Sequence, residues 1–226
     1  MITLAAFLTL GISFKVMVLI EGLTEVRPVN ALPVPAGLLF GPVGAAACGL
    51  GNLIADIAGT FSVNSLAGAL ANFMAAYLPY RMWHTMKAEP NLHSGRNIML
   101  YLMVSLSAAF TAAWILLFGV WLLQGIWLKS VYWYVFLNNF GFSVCLGMPL
   151  LIILTSDDVR LTYCCGFKGS RFLRKGQTEA VCTLYLCLAV LLTVIILLGA
   201  TPFNSLLLAG APMPILLGVL LVLQLL

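Results

Sequence analysis

The chain has 226 residues, of which 62% are hydrophobic and only 8% are Asp, Glu, Lys or Arg, with a formal net charge of +4. Soluble domains carry about 25% charged residues, so this composition excludes an ordinary water-soluble protein and points to a polytopic membrane protein in contact with the lipid bilayer. The positive charge does not form a nucleic-acid patch. Eight of the eleven Lys and Arg residues fall in two stretches, 81–96 and 155–178, and this bias marks cytoplasmic loops that also meet anionic lipid.

Residues 2–20 are apolar, with no charged leader region and no cleavage site before a polar domain, so they are expected to form a retained first span. Lys15 inside it is expected to snorkel to an interface or to pair with Glu21. The next stretch, "EGLTEVRPVNALPVPAGLLFGPVGAAACGLGNLIAD" over 21–56, is apolar yet broken by Gly and Pro, and it carries Glu21, Glu25, Arg27 and Asp56. Three later segments, 98–123, 131–154 and 180–200, are long enough to cross a hydrocarbon core of about 30 Å. The segment 65–86 precedes them, and 203–226 follows after the break at Thr201-Pro202. The expected organisation is a membrane domain over 1–155, a basic cytoplasmic loop over 156–178 and an appended apolar helical pair over 179–226.

Parity constrains the first third. Two spans lie between the basic loops, so both loops share a face and 65–86 runs inward from an external link at 60–64. A single helix over 34–59 would then put Glu21, Glu25 and Arg27 in the cytoplasm. Pro42 follows Gly41 in the middle of the apolar stretch, and Pro breaks a helix interior by removing a donor and clashing with the preceding turn. Two half-spanning helices, about 29–41 and 43–59, instead return the N-terminus to the cytoplasm and place 21–30 outside. Irregular backbone at membrane depth must be buried in protein or line a polar cavity. The small residues between Gly44 and Gly51 permit the close packing that this requires.

The second half-helix carries Asn52 and Asp56, four residues apart and therefore on one face. Glu25, Arg27 and Asn30 from the preceding loop are expected at the same external end, with Asn64 from the next link. An intramembrane carboxylate is costly and marks a candidate ligand pocket; the alternative is an Asp56–Arg27 ion pair that only staples the loop. Two acids against one Arg lean toward a cationic or amine-bearing solute. Trp133, one of the aromatics at the external ends of the later spans, is a candidate to stack on a flat ligand, against the alternative of an interfacial belt. Asn72 and Tyr77 are explained by polar contacts between helices.

No metal-ligand cluster, nucleotide-binding motif or nucleophile beside a base is present, and His84 and His93 both lie in a basic loop, so neither an enzyme nor a resident cofactor or metal is expected. Cys48, Cys145, Cys182 and Cys187 sit in apolar segments as small hydrophobes. The adjacent pair Cys164-Cys165 lacks zinc-site spacing.

The run "EVRPVNALPVPAGLLFGPVGAAACGLGNLIADIAG", followed by "SLAGALANFMAAYLPYRMW", resembles the substrate-binding S components of energy-coupling-factor (ECF) transporters, most closely the queuosine-precursor type, over about residues 1–155. The resemblance implies an all-α bundle of six helices with a cytoplasmic N-terminus in a prokaryotic cell membrane. It also implies a vitamin- or nucleobase-sized solute bound near the outer surface, a transmembrane coupling subunit and two ATPase subunits. By position it puts Arg27 and Asn30 in a lid loop and Asn52 and Asp56 in the pocket wall, with Asn138 in reach of the same end. The first helix reads Ala5, Thr9, Ser13 where that family often has an Ala-xxx-Ala docking face, and the two C-terminal apolar segments exceed the family's length. The competing expectation is a non-catalytic structural or assembly subunit of a larger membrane complex.

Overall fold

The computed structural model describes residues 1–14, 18–20, 24–59, 61–86, 89–125, 129–156 and 184. The chain divides into two compact units, Met1–Trp83 with Ala88–Gly166, and His84–Lys87 with Phe167–Leu226. Nearly all of the second unit lies outside the described residues. So do the basic loop beyond residue 156, the C-terminal helical pair expected over 179–226 apart from residue 184, and the pairing of Lys15 with Glu21.

The first helix, α1, is Ile2–Ser13, and its last two turns carry the Thr9 and Ser13 hydroxyls, bonded back to the carbonyls of Ala5 (2.9 Å) and Thr9 (2.7 Å). Twelve residues rise about 18 Å, too little for the full span expected over 2–20. The apolar run continues instead into a strand, β1, Val18–Ile20, paired antiparallel with β2, Thr24–Glu25. The ladder supplies hydrogen-bond partners that lipid does not. Apart from this short ladder the regular structure of the described residues is helical, as the all-α reading expects.

A 3-10 turn, Pro28–Ala31, leads into α2, Pro33–Ile57, whose path is interrupted at Gly41 (φ 58°, ψ −136°). Only glycine adopts such a conformation without penalty, and Pro42 then starts the second half, where a missing N–H leaves no helical bond unmade. A straight helix of this length would hold its ends about 36 Å apart. Yet Arg27, just before the first half, reaches Asp56, at the end of the second, at 3.1 Å. A Cβ on Gly44 would run into the carbonyl of Ala36, and Ala36, Ala45 and Cys48 share one buried cluster with Phe7, Val29 and Ala76. The chain therefore folds back at Gly41, with its first half opening as a 3-10 turn rather than as the helix expected from residue 29.

Helix α3, Asn64–Thr85, packs against both halves: a Cβ on Gly37 would meet the backbone of Ala76, and one on Gly49 would lie 3.1 Å from the Phe73 side chain. Helix α4, Gly95–Gln124, opens on the Ser94 hydroxyl, which accepts from the Asn97 N–H at 3.2 Å, and closes on Gly125 in the left-handed conformation (φ 70°). It packs along α5, Lys129–Phe142, through an aromatic seam that includes Trp114 edge-on to Tyr132 at 5.9 Å. A single π-turn, Ser143–Gly147, joins α5 to α6, Met148–Leu154. The wide turn is buttressed from α4: the Tyr101 hydroxyl donates to the Ser143 carbonyl at 3.0 Å, and Ser143 Oγ donates to Ser105 Oγ at 3.0 Å.

Among the described residues, three stretches are long and apolar enough to cross a membrane by length and composition: Pro33–Ile57, Gly95–Gln124 and Lys129–Leu154. The first of them uses its length in the fold-back at Gly41.

Candidate functional site

The site is built where α2 ends and α3 begins. Asn52 and Asp56, one turn apart, both face α3, and Gly68 makes the approach possible because a Cβ there would lie 2.9 Å from Asn52 Nδ2. Asn52 Nδ2 donates to Asp56 Oδ2 at 3.2 Å, and Asn72 Nδ2 donates to Asn52 Oδ1 at 3.1 Å and to the Gly68 carbonyl at 3.0 Å. The other carboxylate oxygen, Asp56 Oδ1, accepts from the Arg27 guanidinium at 3.1 Å. The Arg27 backbone N–H donates to Asn138 Oδ1 on α5 at 3.3 Å.

The result is a continuous polar chain, Asn138–Arg27–Asp56–Asn52–Asn72, spanning four segments of the bundle. Asn52, Asp56, Asn72 and Asn138 are buried, and the Arg27 and Asp56 side chains are 17% and 10% exposed. Burying a lone carboxylate is prohibitive, whereas a paired and doubly hydrogen-bonded one is tolerated. Asp56 has both arrangements at once, a cation on one oxygen and an amide on the other.

Of the residues singled out in the sequence, Arg27, Asn52, Asp56 and Asn138 are thus joined in one network. Asn30 lies buried beside it on the 3-10 turn, its backbone N–H bonded to the Arg27 carbonyl at 2.9 Å. Glu25 ends strand β2 opposite Val18, two residues before Arg27. Trp133 is not brought into the network; its ring packs edge-on against Tyr132 (5.2 Å) and Phe136 (6.0 Å) on its own helix. The network also includes Asn72, for which the sequence suggests no more than a polar contact between helices. The spacing of Asn64, Gly68 and Asn72, at successive helical turns, was the signal that these positions share one side of α3.

Two buried amides on this side of α3 have atoms without a hydrogen-bond partner among the described residues: Asn64 Oδ1 and Nδ2, and Asn72 Oδ1. Among the described residues there is no group of three or more His, Cys, Asp and Glu that could hold a metal ion. Cys48 is buried and Cys145 exposed, both as free thiols.

The fold and site together define a helical membrane protein with a hydrogen-bonded ion pair buried at one end of its bundle. No protein-family model, curated protein or solved structure matches the chain.

Proposed function

We propose that this protein is the membrane-embedded solute-binding subunit of a micronutrient uptake transporter, with an S-component-like bundle over about residues 1–155. Its solute is held near the external surface. The observation that carries the reading is the polar chain Asn138–Arg27–Asp56–Asn52–Asn72, which gathers four segments at one end of a lipid-compatible bundle. Buried polar groups in a membrane domain are costly and mark ligand sites by default. In this reading the N-terminus is cytoplasmic, a transmembrane coupling subunit and ATPase subunits supply the energy, and the host membrane is a prokaryotic cell membrane.

Purification in mild detergent, with mass spectrometry of the small molecules released on denaturation, tests the binding function. Affinity capture of coupling and ATPase subunits on the same material tests the partnership. Asp56→Asn, which removes a charge-assisted hydrogen bond of about 1.5–3 kcal/mol, is expected to weaken binding roughly ten- to hundred-fold. Retention of the solute by Arg27→Gln, Asn30→Ala, Asn52→Ala and Asp56→Asn alike defeats the reading.

The second reading, a structural or assembly subunit, is favoured by one observation: both Asp56 oxygens already have partners within the chain. In that case the network only fixes the hairpin, and the same substitutions lower stability without releasing a solute.

A further inference from the structure

Asn64 is the first residue of α3, 6% exposed, and among the described residues neither its carboxamide oxygen nor its nitrogen meets a hydrogen-bonding group. An unmet buried amide is a standing cost, so its retention at this position calls for a partner from outside the chain. Asn64 lies one helical turn from Gly68, the residue against which Asn52 and Asp56 pack, and so belongs to the outer rim of the same site. Asn72 carries a second unmet atom, its oxygen, but it lies two turns deeper. About 12 Å of helical rise separates the two, too far for one small functional group to satisfy both.

The chemistry of the partner follows from the atoms left open. A carboxamide with both ends unmet is complemented by a donor and an acceptor side by side, as on another carboxamide or on a lactam edge. Charge argues the same way. Asp56 is compensated by Arg27 at 3.1 Å, so the described side chains of the site hold no surplus negative charge for an amine. We infer that Asn64 is a ligand contact of this site and that the solute is neutral, presenting a carboxamide or lactam edge to it. The inference rests on the proposed binding function.

The test compares wild type with Asn64→Leu, which keeps the volume and removes the polar atoms. Both are purified in the same detergent and read by mass spectrometry of the released small molecules. Both are also read by thermal unfolding after exchange into solute-free buffer. The expected result is an Asn64→Leu protein that melts no lower than solute-free wild type and carries at least ten-fold less of a neutral, amide-bearing molecule. A lower melting temperature for Asn64→Leu overturns the inference, because Asn64 then has a structural partner such as an internal water. So does equal retention of the molecule by both proteins, or its identification as an amine or a carboxylate. A wild type that carries no molecule at all counts against the binding function itself, while the melting comparison still decides whether Asn64 is held at a cost.

Discussion

Gly44 lies directly against the backbone carbonyl of Ala36, eight residues earlier in the same helical segment, with no room for a Cβ between them. In a continuous helix those two residues are about 12 Å apart. Their contact is the crossing point of the hairpin, and it brings Arg27 onto Asp56.

Gly44→Ala is therefore expected to force the two halves of α2 apart at a cost of about 1–3 kcal/mol. Gly41→Ala, at a positive φ, is expected to cost a similar amount, about 1–3 kcal/mol, through backbone strain. Gly95→Ala, where a Cβ meets nothing within 4 Å, is the control and should leave the melting temperature close to wild type. Equal melting of all three proteins would count against the hairpin.

The hairpin also makes a prediction about sidedness. Pro42 and Val43 sit at its turn, and Val63 sits in the link between α2 and α3. In a cysteine-free background on intact cells, Val63→Cys is expected to react with a membrane-impermeant maleimide. Pro42→Cys is expected to react only after permeabilisation. The reverse pattern would turn the domain over and put the polar network on the cytoplasmic side.

Removing one member of the Arg27–Asp56 pair strands the other. For fully buried pairs the loss is about 3–5 kcal/mol. With side chains 17% and 10% exposed, each single change, Arg27→Gln or Asp56→Asn, is expected to cost less, roughly 1–3 kcal/mol once solvent screening is allowed for. The double variant should recover part of it, giving a coupling of about 1–2 kcal/mol in a thermal-unfolding cycle. Strict additivity would mean that the ion pair contributes nothing to the fold.

Tyr101 closes the π-turn from the neighbouring helix. Tyr101→Phe removes the donor to the Ser143 carbonyl and is expected to cost about 1–2 kcal/mol as a lost buried hydrogen bond. Tyr134→Phe, on an exposed ring, should be close to neutral. Similar stability for the two variants would show that the π-turn is held by its own helix.

Much of this was legible in the residues because it is local. Composition and run length identify a membrane protein, since apolar stretches of this length have nowhere else to go. The Gly41-Pro42 pair marks the reversal, because Pro cannot continue a helix and Gly alone tolerates the required φ. The four-residue spacing of Asn52 and Asp56 puts both on one face by helical geometry. What only the tertiary structure decided is everything that depends on distant segments meeting. Arg27 and Asp56 are 29 residues apart and Arg27 and Asn138 are 111 apart, separations that no periodicity encodes and that packing of the small-residue hairpin against α3, and of the 3-10 turn against α5, sets. The same holds for the end of α1 at Ser13, where pairing with Thr24–Glu25 takes over an apolar run that continues past the helix. It holds also for Trp133, which packs into the aromatic seam of α5, and for Asn64, whose unmet amide becomes visible only when the surrounding backbone is in place.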